Sequence, residues 1–83
     1  PMKEKFNFSE NAMILQAHVD NEDILIIRHK KHKETFSTKR KITPLAVYIN
    51  PKRQEYLEAY DHAKEGKRTF RIDRISSIKQ VEE

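Results

Sequence analysis

The chain has 83 residues, of which 36% are hydrophobic and 36% charged, so it allows one domain with a small core and a heavily charged surface. The absence of cysteine excludes disulfides and thiolate metal sites and is typical of a reducing compartment. No apolar run approaches the roughly eighteen residues of a membrane span, and the first residues are too polar for a signal peptide, so we expect a cytoplasmic protein without a membrane partner.

The first predicted element is a helix over residues 9–19. Ser9 is a favourable N-cap residue, and Glu10 follows it at the positive end of the helix dipole. The apolar residues that recur at helical spacing are Ala12, Leu15 and Val19. We therefore expect an amphipathic helix that packs on a sheet.

Strands follow the helix. The β-branched run at residues 24–27 predicts a strand that is buried on both faces, with the barrel interior on one side and the helix on the other. Residues 31–34 predict a hairpin tip, and residues 35–49 predict a long second strand. Because Pro44 has no N–H to donate to a ladder, a bend or bulge is expected near it.

The second half of the chain predicts further strands. Residues 54–61 alternate, with Leu57 and Ala59 toward the core, after a turn at residues 50–53. The next turn contains the one glycine, Gly66, for which we expect a positive φ. From Arg68 onward the apolar spacing changes from two to three, which predicts a short 3₁₀ turn at residues 73–75 and a final strand at residues 78–81.

One helix and about five short strands indicate a mainly β fold, a small SH3-like or Sm-like barrel. We predict a single domain over residues 8–81, with a flexible N-terminal segment at 1–7 and a C-terminal tail at 82–83.

The positive charge is concentrated in one part of the chain. Residues 28–41 carry seven Lys or Arg against one Glu, whereas the formal net charge of the whole chain is +4. Such a patch attracts phosphate groups, but lysine-rich loops also occur because solvated charge keeps sheet edges soluble. Charge alone leaves both interpretations open.

Three segments resemble the WYL domain family, in the family's order and at matching separations. They are RKITPL at residues 40–45, YLEAYD at 56–61 and RTFRIDRI at 68–75. The family patterns are Arg-x-Val-x-Pro-Leu, Trp-Tyr-Leu-x-Ala and Arg-x-Phe-Arg-x-Asp-Arg-Ile. The likeness covers about residues 14–81, but Glu55 stands in place of the family tryptophan and His29 where a tyrosine is frequent.

The resemblance implies a small barrel that senses a ligand or binds nucleic acid. WYL domains usually follow a DNA-binding helix-turn-helix domain, which this sequence lacks, in bacterial transcription regulators, and some act in phage-defence and RNA-guided systems. The positions that the resemblance assigns to single-stranded nucleic acid or a nucleotide are Arg40, Tyr56, Arg68, Arg71, Arg74 and His29.

The residues themselves allow two interpretations of these arginines. Strand alternation places Arg68 and Arg71 on opposite faces, but a 3₁₀ turn would let Arg71 and Arg74 converge on a phosphate. In the alternative, Asp73 pairs with Arg71 or Arg74 and the other arginines are solvated. Tyr56 and Tyr60 share a strand face and would offer either a stacking platform for bases or ordinary packing.

No catalytic, metal or cofactor motif is evident. His29 and His32 have a usable spacing, but the lysines around them repel cations. No nucleophile with its base and no glycine-rich phosphate loop occurs, so we expect no enzyme and no cofactor. Two functions remain: a regulatory module for nucleic acid or a nucleotide in transcription or phage defence, or a protein-interaction or dimerisation module that docks on a regulator or effector enzyme.

Overall fold

A computed structural model describes residues 7–31 and 36–82. Helix α1 is followed by five strands, with a 3₁₀ helix between the last two. The elements are α1 Glu10–Asp20, β1 Ile24–His29, β2 Thr38–Ile49, β3 Glu55–Asp61, β4 Gly66–Arg71, the 3₁₀ helix Ile72–Arg74 and β5 Ile75–Val81. The strands form one antiparallel sheet in the order β4-β3-β2-β1-β5. The mainly β fold with one N-terminal helix is thus confirmed.

The sheet curls on itself but does not close. His29 of β1 and Phe70 of β4 lie three strands apart in the strand order, yet their ring centroids are 4.8 Å apart. Among the described residues β4 and β5 remain the two edges of the sheet, so the closed ladder of a barrel is not formed. A seam therefore runs between β4 and the end of β1.

The core lies on the concave face of the curled sheet, and α1 covers it. Its buried residues are Ala12, Leu15, Leu25, Ile27, Ile42, Leu57, Ala59, Phe70, Ile72 and Ile75. The expectation that β1 is buried on both faces is wrong, because Leu25 and Ile27 are buried whereas Ile24 and Ile26 are only half-buried. The helix packs on the same face as the core, chiefly against β2, and leaves the other face of β1 partly in solvent.

The predicted bulge at Pro44 is confirmed. Pro44 pairs with Ala59 and Ala46 with Glu58, so Leu45 is the extra residue on β2. The bulge accommodates the missing N–H of proline without interrupting the twelve-residue strand. The bend lets β2 pair with β1 at one end and β3 at the other.

The expectation for Gly66 is wrong. No glycine has a positive φ in the described residues, and the left-handed position of this turn is taken by Glu65, with φ of 54°. Gly66 is already extended, because it forms the first pair of the β3–β4 ladder with Asp61. The 3₁₀ turn is present one residue earlier than predicted, and β5 starts at Ile75 rather than at residue 78. Most of the hairpin tip expected at residues 31–34 lies outside the described residues.

Helix α1 begins where predicted, and β3 holds its first turn. Oγ of Ser9 accepts a hydrogen bond from the Ala12 N–H at 3.1 Å, which confirms Ser9 as the N-cap. The Glu55 carboxylate accepts from the Ser9 N–H at 2.7 Å and from the Ser9 hydroxyl at 2.6 Å. Glu55, at the position of the family tryptophan, thus ties the helix to the sheet by hydrogen bonds. At eleven residues, α1 is too short to cross a membrane, and it is the one α-helix of the described ranges.

We expect Glu55→Ala to lower the free energy of unfolding by about 1 kcal/mol, because the two hydrogen bonds that hold the helix cap are lost. Urea unfolding followed by circular dichroism measures the change. Glu82→Ala, on an exposed residue beyond β5, is the matched control and should stay within about 0.5 kcal/mol of the unchanged protein. Equal stability of the two variants would show that the contact with Ser9 contributes nothing.

Candidate functional site

A pocket of about 130 Å³ lies in the seam between β4 and the end of β1, and we call it the seam pocket. It is lined by His29, Lys30, Lys31, Arg68, Thr69, Phe70, Arg71 and Arg74. Five of these eight residues are Lys or Arg and none is acidic, so the pocket is a strongly positive concavity.

Backbone pairing brings the three parts of the pocket together. The register between β1 and β5 shifts between Arg28 and His29, where Ser76 is the extra residue of a bulge on β5. Beyond the bulge, the Lys30 N–H donates to the Arg74 carbonyl at 3.1 Å, which joins the end of β1 to the 3₁₀ helix. Strand β4 supplies the opposite wall.

The floor of the pocket is aromatic. Phe70 is 3% exposed and meets the ring of His29 edge to face, with an interplanar angle of 72°. The Arg68 guanidinium lies over the Phe70 ring, with Cζ 5.3 Å from the ring centroid. This cation–π contact holds the Arg68 side chain against the floor.

A buried carboxylate holds two arginines behind the pocket. Asp61 has no exposed surface, and its Oδ2 lies 3.4 Å from Nη1 of Arg68 and 3.9 Å from Nε of Arg40. Its Oδ1 accepts from the N–H groups of Ala63 at 3.0 Å and Lys64 at 3.2 Å. Asp61 therefore joins the β3–β4 turn to Arg68 of the pocket.

The surroundings of Asp61 favour its charged form. Burial raises the pKa of the Asp61 carboxyl, but the backbone N–H groups of Lys64 and Ala63 and the guanidinium groups of Arg40 and Arg68 more than offset this, and the pKa is lowered from its ordinary value. Asp61 is thus a carboxylate at neutral pH. It pairs with Arg68 of the pocket wall and with Arg40 behind it.

Arg71 and Arg74 both line the seam pocket. Nε of Arg71 lies 2.9 Å and 3.1 Å from the two carboxylate oxygens of Asp73. Asp73 thus pairs with Arg71, which was one of the two interpretations of these arginines. The pairing orients the guanidinium group but leaves Arg71 at the pocket.

The aromatic pair of the site differs from the expected one. Tyr56 stacks on Tyr48 of β2, with ring centroids 5.7 Å apart and an interplanar angle of 20°. Tyr60 instead meets His62 edge to face at 5.3 Å, so Tyr56 and Tyr60 do not form a platform. Tyr48 is 42% exposed, and the register partner of Tyr56 on β4 is Arg71. The tyrosine pair, Tyr48 and Tyr56, therefore lies beside Arg71 on the outer face of the sheet.

The structure divides the six predicted site residues among three places. Those that line the seam pocket are His29, Arg68, Arg71 and Arg74. Arg40 lies behind it on Asp61, and Tyr56 lies beside it next to Arg71. Within residues 7–31 and 36–82, no three His, Cys, Asp or Glu side chains are arranged to hold a metal ion.

Two residues of the site were missed in the sequence, although signals for both exist. Asp61 continues the alternation of Leu57 and Ala59, which places a carboxylate on the core face and requires a cation nearby. Tyr48 lies two residues before the turn at residues 50–53 and Tyr56 three residues after it, and the register of the β2–β3 hairpin pairs the two.

Comparison with known proteins places the chain in a family. The structure of proteasome accessory factor B/C (PafBC) of Arthrobacter aurescens is similar, with a TM-score of 0.79 and 28% sequence identity over 93% of this chain. The chain spans 12% of the length of that protein. No curated protein matches. The family model of the WYL domain matches residues 10–80, and the chain therefore belongs to the WYL domain family.

Proposed function

We propose that the protein is a regulatory module that binds single-stranded nucleic acid or a nucleotide through the seam pocket and the tyrosine pair. The observation that carries the proposal is the seam pocket itself, in which five Lys and Arg side chains surround one concavity without a carboxylate in its lining. The module acts by binding and not by catalysis, in the bacterial cytoplasm, in the control of transcription or of phage defence. Membership of the WYL domain family and likeness to PafBC support a regulatory role.

Phosphate binding follows from the chemistry of the lining. Guanidinium groups present several N–H donors in one plane and hold phosphate oxygens in pairs, as Arg68, Arg71 and Arg74 would here. The pairs with Asp61 and Asp73 fix Arg68 and Arg71 before a ligand arrives. Arg68 and Arg71 therefore lose less conformational entropy when a ligand binds.

The tyrosine pair supports an unpaired base next to that phosphate. Tyr56 and Arg71 are direct cross-strand partners, so their Cβ atoms lie about 5 Å apart. The outer ring, Tyr48, is exposed enough to stack on a base. Bases within a duplex are stacked on each other and cannot use this surface, which favours a single strand.

Salt dependence tests the proposal. A labelled single strand of about twelve nucleotides should lose affinity roughly twentyfold for a fourfold rise in salt, if about three phosphates are contacted. Fluorescence anisotropy measures this, with RNA of the same sequence and the matching duplex in parallel. Duplex should bind more weakly, because its bases cannot stack on the tyrosine pair. No binding of either single strand at low salt would reject the proposal.

A second candidate is a docking or dimerisation module, and the open sheet favours it. Strands β4 and β5 each have one edge without a strand partner among the described residues, and such edges accept an added strand. Met13 on the helix is 59% exposed and adds apolar surface. Light scattering at several concentrations tests self-association, and a strict monomer that still binds the oligonucleotide would disfavour this candidate.

A further inference from the structure

The size of the seam pocket limits which part of a ligand enters it. Its volume is about 130 Å³, whereas pockets that enclose a small organic molecule measure roughly 300–1,000 Å³. That space suits one phosphorus atom with its four oxygens and is too small for a whole nucleotide.

The pocket is also closed at its inner end. Phe70 and His29 are 3% and 5% exposed, and their edge-to-face contact forms the floor. A phosphodiester within a strand has two ester links, and both must lead out of the pocket. A phosphate monoester has a single link and can enter with its three other oxygens toward the walls.

The charge of the lining points to the same group. Five Lys and Arg side chains line the pocket, and the Asp61 and Asp73 carboxylates pair with two of them, Arg68 and Arg71. A phosphodiester carries one negative charge, whereas a phosphate monoester carries about 1.5 to 2 at neutral pH and three strongly accepting oxygens. The monoester matches this density of donors better.

We propose that the seam pocket recognises a terminal phosphate monoester, carried by the end of a nucleic-acid strand or by a free nucleotide. This inference rests on the proposed function and names the group that the pocket selects. The tyrosine pair then receives the base adjacent to the terminal phosphate, outside the pocket. The module would report strand ends, as they arise when a strand is cut, rather than strand interiors.

The test compares strands of one sequence that differ only at their ends. Strands with a 5′-phosphate, a 3′-phosphate or two hydroxyl ends are titrated at one salt concentration. One phosphorylated form should bind about tenfold more tightly than the hydroxyl form, because charge-assisted hydrogen bonds to its extra oxygens are gained. A hydroxyl-ended strand longer by one nucleotide controls for added charge and should gain less than about twofold by the same counterion argument.

Variants assign the preference to the pocket. Arg74→Gln should reduce the tenfold preference to about twofold or less, whereas Lys79→Gln, at an exposed position of β5, should preserve it. A nucleoside monophosphate that competes with the phosphorylated strand supports recognition of the monoester alone. If it does not compete while the preference persists, the strand end is the ligand.

Two results overturn the inference, and they differ in meaning. Salt-dependent binding that is equal for phosphorylated and hydroxyl-ended strands rejects terminal recognition and leaves the proposed function standing. Absence of binding by every strand at low salt rejects both.

Discussion

Replacing Asp61 by Asn should lower the free energy of unfolding by about 2 kcal/mol. The substitution keeps an oxygen that can accept from Ala63 and Lys64, but it leaves Arg40 and Arg68 without their buried counterion. The loss should be smaller than the roughly 3–5 kcal/mol of a fully buried pair, because these two side chains are 20% and 25% exposed and keep some solvation. Urea unfolding at pH 7 measures the change.

The pH dependence identifies the charge as the cause. Because the pKa of Asp61 is lowered in the folded protein, its contribution is present above the ordinary value of about 3.9 and is lost as the pH falls through the folded pKa. The difference in unfolding free energy between the unchanged protein and Asp61→Asn should therefore decrease from pH 5 toward pH 3.

Asp73→Asn makes the same chemical change on a carboxylate that is 61% exposed and should cost less than about 0.5 kcal/mol. If the unfolding free energy of Asp61→Asn differs from that of the unchanged protein by the same amount at every pH, the loss of stability is due to packing and not to charge.

Replacing Arg74 by Glu should weaken binding of the labelled single strand about a hundredfold at low salt. A donor to phosphate is lost, and a carboxylate enters a pocket that the phosphate must share. Lys79→Glu changes the net charge equally, but Lys79 is an exposed residue of β5 outside the seam pocket. It should cost less than about fivefold, mainly through the long-range field.

Anisotropy titration of both variants, each with its unfolding curve, provides the comparison. Equal losses for the two would show that the strand binds to diffuse surface charge and that the seam pocket has no special part. A loss confined to Arg74→Glu in a stable protein is the expected result.

Features that depend on neighbouring residues in the chain could be predicted from the sequence. The cap at Ser9, the bulge at Pro44 and the 3₁₀ turn before β5 each follow from local stereochemistry. Gly66 was the exception, because glycine permits a positive φ without requiring it. Because Gly66 pairs with Asp61 in the ladder, its backbone is extended, and Glu65 adopts the left-handed conformation of the turn instead.

The site could be predicted only in part, because its contacts join distant segments. The family pattern named four residues that line the pocket, yet alternation placed Arg68 and Arg71 on opposite faces. They meet at the same pocket because β4 is an edge strand, which a ligand can approach from the side. The role of Asp61 depends on Arg40, which is 21 positions away, and pairwise spacing in the sequence does not show such contacts.

The open seam gives the pocket a mechanical consequence. Among the described residues β3 is the one strand that pairs with β4, and across the seam β4 meets β1 through side chains such as His29 and Phe70. An anion bound by Arg68 on one wall and by Lys30 on the other would bridge the two walls of the seam. Anion binding and the rigidity of this sheet edge would then be coupled. With the pocket occupied, the β4 edge offered to a partner protein would be more rigid than with the pocket empty.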